Sequence, residues 1–207
     1  SWTRLIRVMT HEIMNTITPI ASLSSALSQN LPDYSEDDIS SALGTIASSS
    51  EGLLNFIQSY RSLTHIAAPV RKAFYFKEVA TDAMNIARTN WPSVNVCYNE
   101  LSDDIILYAD QGQISQVINN IVKNAVQAGA QNVTITASID KRDRTLINVS
   151  NDGEPLSESS QEQLFTTKGS AGTGVGLSLS RQMLRLNGGT IKLASTTPES
   201  TVFTIIL

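Results

Sequence analysis

The sequence predicts an α+β protein: an N-terminal antiparallel helical hairpin, then a mixed sheet packed on helices. Two observations carry this. Over the first 60 residues, apolar side chains return at intervals of three, four and seven, the period of helix faces. Beyond Ala67-Ala-Pro-Val70 the apolar runs are short and alternating, broken by glycine, asparagine and aspartate, as in strands and turns between helices. Proline stops a helix and opens a linker there, so the expected domains are residues 1–68 and 69–207.

In the first helix Ile6, Met9, Ile13, Ile17, Ile20, Leu23, Leu27 and Leu31 form one continuous stripe, with His11 off it. Pro32-Asp33 ends that helix. Ser35, with Asp38 three residues on, starts the next, a hydroxyl cap with acidic residues at the positive end of the helix dipole. The second helix carries Ile39, Leu43, Ile46, Ser50, Leu53, Ile57 and Tyr60 in heptad steps, and His65 sits at its end, where a cation favours the dipole. One hairpin leaves apolar surface uncovered. Pairing with a second copy into a four-helix bundle covers it, so a homodimer is expected. In the second domain the expected order is a strand Phe74 to Phe76, a helix Lys77 to Asn90, strands Val94 to Tyr98 and Ile105 to Tyr108, and a helix capped by Asp110 and running to Ala128. A hairpin of Val133 to Ile139 and Leu146 to Ser150 turns at Lys141-Arg-Asp-Arg144. A loop region spans Asn151 to Gly176, a helix follows to Leu186, and Gly188-Gly189 precedes two last strands.

Fifteen Lys plus Arg against 19 Asp plus Glu, with the basic residues scattered, leave no electrostatic footprint for nucleic acid or an anionic membrane, and neither is expected as a direct partner. The lone Cys97 excludes an intrachain disulfide framework and fits a reducing, cytoplasmic setting. No apolar run approaches membrane-spanning length. Because a reactive helix begins almost at the first residue, a cytoplasmic piece of a longer protein is expected.

The stretch Arg7-Val-Met-Thr-His-Glu-Ile-Met-Asn-Thr-Ile-Thr-Pro-Ile20 sets His11, Glu12 and, one turn on, Asn15 in one neighbourhood, an imidazole, a carboxylate and an amide. Asn120 and Asn124 stand four apart on one helix face with Lys123 beside them. Their amide oxygens suit Mg²⁺ when water and nucleotide phosphate supply the other ligands; taken alone, the pair is more often a polar helix face or a buried amide pair bonded to backbone, and context decides. Asn151-Asp-Gly153 after a strand brings side chains toward a ligand, or is a plain turn. Gly172-Thr-Gly-Val-Gly176 before a helix lets backbone N–H groups approach phosphates, or is a flexible loop.

In this order and on these elements, the set resembles the sensor histidine kinases of two-component signalling over nearly the whole chain. His11-Glu-Ile-Met-Asn15 with Thr18-Pro19-Ile20 resembles the H-box of nitrogen-regulation-type kinases, and Asp110 through Asn120-Ile-Val-Lys-Asn-Ala125 the N-box. Asn151-Asp-Gly153 resembles the adenine-site box, and Thr166-Thr-Lys168 through Gly172-Thr-Gly-Val-Gly-Leu177 the lid and second glycine box. Arg181-Gln-Met and Asn187-Gly-Gly-Thr190 match the trailing helix and strand.

The resemblance implies a Bergerat-type ATP-binding domain after a dimeric phosphoacceptor hairpin. It places ATP with its adenine near Asn151, Gly153 and Thr201, Mg²⁺ on Asn124 and Asn120, and the phosphates near Lys123, Thr167, Lys168, Gly172, Gly174, Gly176 and Leu177. The γ-phosphoryl group then passes to His11, assisted by Glu12, and on to the aspartate of a response-regulator receiver domain. Asn15 implies a capacity to dephosphorylate that regulator. The chain is then expected to be the cytoplasmic part of a longer sensor, membrane-anchored or not.

Three positions and one segment depart from the family pattern. Asn151 stands where Asp is usual, Pro155 replaces a glycine, and Gln127 replaces a basic residue. The short Pro-Phe-Phe-containing segment usual between Phe165 and Thr166 is absent, either from the lid or only from the quoted chain. These departures keep open a nucleotide-weak scaffold or phosphatase-biased pseudokinase. A non-kinase ATPase of the wider superfamily ranks lower, because Asn120 stands where such enzymes carry their carboxylate base.

Overall fold

The computed structural model describes residues 2–30, 34–64, 66–165 and 176–207, with backbone alone at 2–9, 11, 12, 30, 55, 56, 58–64 and 163. The chain divides into two compact units, Ser1–Thr64 and His65–Leu207.

In the first unit α1 (Trp2–Asn30) packs along α2 (Glu36–Thr64). The start of α2 follows its local chemistry: Ser35 Oγ accepts from Asp38 N at 3.1 Å, and Asp38 Oδ2 accepts from Ser35 N at 3.3 Å, a reciprocal capping box. The apolar stripes divide more finely than their spacing suggests. Ile39, Ile46 and Leu53 are half-buried with Ile13, Ile20, Leu23 and Leu27 of α1. Leu43, Leu54 and Ile57 of α2 and Met14 and Ile17 of α1 stay exposed in the single chain. The single heptad seam expected on α2 is therefore two adjacent faces, one spent inside the hairpin and one open. Leu31, Pro32, Asp33 and His65, invoked above as stripe and helix ends, lie outside the described residues.

The second unit runs β1 (Lys72–Tyr75), α3 (Phe76–Asn90), β2 (Asn95–Glu100), β3 (Ile106–Ala109), α4 (Gln111–Gln127), β4 (Asn132–Ile139), β5 (Thr145–Asn151), α5 (Glu158–Gln163), α6 (Gly176–Leu186), β6 (Thr190–Thr196) and β7 (Thr201–Ile206). β1 and β3 pair antiparallel in a sheet of two. The larger sheet has order β2-β4-β5-β7-β6; β2 is parallel to β4 and the other pairs are antiparallel, a mixed sheet. α3, α4 and α6 pack side by side. The core is their apolar stripes, Val79, Ile114, Val117, Ile118, Ile121 and Leu184 among them, with Ile135, Ile147, Val149 and Ile205 of the sheet, all essentially unexposed.

Two boundaries differ from expectation for identifiable reasons. Phe76 opens α3 instead of ending β1, because its ring is fully buried and its N–H bonds to Ile105 O at 2.9 Å. The expected loop after Asn151 contains α5, which has no apolar period and starts on a cap, Ser157, whose side chain accepts from Ser160 N.

The start of α4 is a junction. Asp110 Oδ1 caps it by accepting from Gln113 N at 3.0 Å, and its Oδ2 accepts from Val70 N at 2.8 Å. Asn187 Oδ1 accepts from Asp110 N at 2.8 Å, while Asn187 Nδ2 donates to Gln113 Oε1 at 2.8 Å. Gln113 Nε2 in turn donates to Ala67 O at 2.9 Å, and Arg71 Nη2 to Leu186 O at 2.6 Å. Residues 67–71 are thereby fastened to the start of α4 and the end of α6.

The N–H groups of Gln113 and Val70 hold the Asp110 carboxyl below the usual carboxylate range. A depressed folded-state pKa contributes stability that is present above the unfolded value of about 3.9 and is lost as pH falls through the folded value. Asp110→Asn, which keeps a cap oxygen but removes the charge, is therefore expected to lower stability at neutral pH. In urea unfolding the difference from the unmodified protein should narrow as pH drops below about 4; a gap that does not change with pH would count against the cap carboxylate.

Candidate functional site

α4 buries one face under the sheet, and on its flank Asn120, Asn124 and Ala128 follow one another at helical spacing, a stripe about 12 Å long. Asn120 and Asn124 are half-buried and Lys123 beside them is exposed.

At one end of the stripe, Asn120 Nδ2 donates to Ser180 Oγ at 3.2 Å and to Gly176 O at 3.4 Å. Gly176 opens α6, and a Cβ built there would stand 3.9 Å from Asn120 Cγ, an ordinary contact. The Leu177 side chain is buried in the core, so only its backbone, in the first turn of α6, can face a ligand.

At the other end, β5 finishes at Asn151 and the chain turns against Ala128. Glu154 N donates to Ala128 O at 2.8 Å, and a Cβ on Gly153 would come within 2.8 Å of that oxygen and 3.0 Å of Ala128 Cβ. Only glycine permits so close an approach. Asn151 is 6% exposed; its Oδ1 accepts from Gly153 N at 3.1 Å, and its Nδ2 donates to Thr201 O at 3.4 Å. Thr201 is also its register partner on β7 and shares a 2.8 Å hydroxyl contact with Thr196. Asp152 shapes the turn instead of pointing to a ligand: Oδ1 accepts from Gln131 N and Asn132 N, and Oδ2 from Asn132 Nδ2, each at 2.8 Å. The Asn132 side chain foremost, with the two backbone donors, holds its carboxyl below the usual range.

Asn120, Asn124 and Gly176, and beyond them Asn151, Gly153 and Thr201, thus come together along one flank of α4. His11, Glu12 and Asn15 belong to α1 in the first unit: Asn15 is exposed, and His11 and Glu12 are described by their helical backbone alone. Thr167, Lys168, Gly172 and Gly174 lie outside the described residues. Ser180 escaped the motif reading. Its signal is a fully buried serine on the apolar side of an amphipathic helix, four residues after the last glycine of the run.

Among the described residues no helix is long and apolar enough to cross a membrane. Residues 109–207 match the family described as histidine kinase-, DNA gyrase B-, and HSP90-like ATPase. The sensor histidine kinase ZraS of Salmonella typhi is 27% identical over 207 residues, 95% of this chain and 43% of that protein. The circadian input-output histidine kinase CikA of Synechococcus elongatus is 26% identical over 97% of this chain and 29% of that protein, so the chain spans less than half the length of these curated relatives. Among solved structures, histidine kinase ThkA in complex with the response regulator protein TrrA shares the fold over 99% of this chain and 60% of that one, with a TM-score of 0.77 at 21% identity. The matched family model over residues 109–207 and the sensor histidine kinases among the relatives thus point the same way.

Proposed function

We propose that this chain is the core of a protein-histidine kinase that transfers the γ-phosphoryl group of ATP to His11 and from there to the aspartate of a response-regulator receiver domain. The observation that carries the reading is the polar stripe Asn120–Asn124 on α4, bounded by the start of α6 and by the Asn151–Gly153 turn. In this reading residues 1–68 are the dimerisation and phosphotransfer hairpin and residues 69–207 the catalytic domain.

Asn151 and Thr201 take the adenine end, Lys123 and the segment containing Thr167, Lys168, Gly172, Gly174 and Gly176 the phosphates. The donor set fits Mg²⁺: Asn120 turns its NH₂ group to α6, which leaves the amide oxygen for a hard cation, and Asn124 offers a second one turn on. When bound, Mg²⁺ offsets charge on the phosphate oxygens. A neutral imidazole carries a free ring nitrogen lone pair, and in this reading that of His11 attacks the γ-phosphorus as ADP departs. Glu12 accepts the proton from the other ring nitrogen or holds it in a hydrogen bond. Asn15 orients water in the reverse duty, hydrolysis of the regulator's aspartyl phosphate. The exposed Leu43, Leu54 and Ile57, with Met14 and Ile17, support pairing of two hairpins as a homodimer. The cytoplasmic side of a membrane-anchored sensor is the setting that supplies both ATP and regulator.

The neutral Asn151, with its oxygen already accepting from Gly153 N, favours a second reading in which nucleotide is held weakly and phosphatase action on the regulator predominates. Incubation with γ-labelled Mg·ATP separates the two. Kinase action leaves a label on the protein that survives base and is lost in acid, as phosphohistidine is; an unlabelled protein that still dephosphorylates a regulator establishes the second reading instead.

A further inference from the structure

Ser180 is fully buried on α6, and its hydroxyl donates to Gly176 O at 2.8 Å. With its proton committed there, the serine oxygen meets Asn120 as an acceptor. It takes the Asn120 Nδ2 proton at 3.2 Å, while the Gly176 carbonyl stands 3.4 Å from the same nitrogen. An amide turned end for end would set Oδ1 against the Gly176 carbonyl with no proton between them, and Ser180 could donate to it only by giving up its own bond to that carbonyl, so bonds are lost and repulsion is added. The asparagine on its own has no such preference, since its oxygen and nitrogen are nearly equal in size.

We infer that Ser180 is a positioning residue that fixes the sense of the Asn120 amide, so that its oxygen and not its NH₂ group is offered to the nucleotide-bound cation. The inference rests on the metal role given to Asn120 above. A hard cation accepts oxygen alone, so an amide free to turn is a ligand for only part of the time. Ser180→Ala keeps the packing of the buried helix face and removes the acceptor, which makes it the discriminating substitution.

Two measurements test this. In protein labelled with ¹⁵N-asparagine and free of metal and nucleotide, the Asn120 Nδ2 signals, identified by their loss in Asn120→Ala, should be protected from solvent exchange. They should lose that protection in Ser180→Ala. In a Mg²⁺ titration of protein saturated with ADP, Ser180→Ala should raise the half-saturating Mg²⁺ concentration about fivefold, the net worth of one neutral hydrogen bond. ADP affinity in EDTA should not change, and Ser180→Ala should add nothing in an Asn120→Ala background. Ser180→Cys, with a weaker acceptor, should fall between. Unaltered Asn120 amide signals in Ser180→Ala, or an equal Mg²⁺ shift in the Asn120→Ala background, would overturn the inference. Failure of the unmodified protein to bind ADP would overturn the nucleotide reading and with it this role, a result told apart because the amide signals report the lock without ligand.

Discussion

His11→Gln is expected to abolish transfer of the γ-phosphoryl group to the protein while nucleotide affinity stays unchanged. Glutamine is uncharged and polar, yet its amide nitrogen lone pair is delocalised into the carbonyl and cannot attack phosphorus. The residues proposed to hold nucleotide belong to the unit His65–Leu207, and His11 to Ser1–Thr64, so the substitution leaves them unchanged. Calorimetry with ADP and labelling with γ-labelled ATP, run on the same preparation, give both readings. Continued acid-labile labelling would reject His11 as the acceptor. Glu12→Gln should retain the acceptor and slow labelling about 10²- to 10⁴-fold, the usual span for a positioned acid or base.

Gly153→Ala should damage both the fold and the proposed nucleotide site. Its Cβ would lie 2.8 Å from Ala128 O, 3.0 Å from Ala128 Cβ and 3.1 Å from Asn151 Oδ1. The nearest of these is backbone at the end of α4, which cannot swing aside as a long side chain can, so the turn itself must withdraw. Overpacking of this kind costs about 1–3 kcal/mol. Withdrawal also breaks the 2.8 Å bond from Glu154 N to Ala128 O and moves Asn151, whose oxygen accepts from Gly153 N. Nucleotide affinity should fall about tenfold or more, since 1.4 kcal/mol is a factor of ten. Urea unfolding and ADP calorimetry check the two parts; a protein with the unmodified midpoint and affinity would show that this close approach does not matter to the site.

What could be read in advance was what depends on near neighbours in sequence. Ser35 with Asp38 and Asp110 with Gln113 cap their helices as expected because a cap is a contract among four consecutive residues. α6 begins at Gly176 and ends at Leu186 where the glycines on either side indicated. The ordered motifs pointed to the family that the relatives bear out. What escaped reading depends on residues far apart. β2 pairs parallel with β4, not with the adjacent β3, a choice made by long-range burial and invisible in alternation alone. The two faces of α2 share one heptad period, and only packing on α1 tells them apart. Ser180 meets Asn120 sixty positions away, and nothing local to either announces it.

The fastening of residues 67–71 bears on how a signal could travel. Ala67 O, Val70 N and the Arg71 guanidinium are each bonded to the start of α4 or the end of α6, so this stretch has no slack. A displacement of residues 67–71 would be felt first at Asp110, Gln113 and Leu186. Asp110 and Gln113 begin the same helix that carries Asn120 and Asn124. The stretch is a fixed attachment to the helix to which the proposed function assigns the nucleotide.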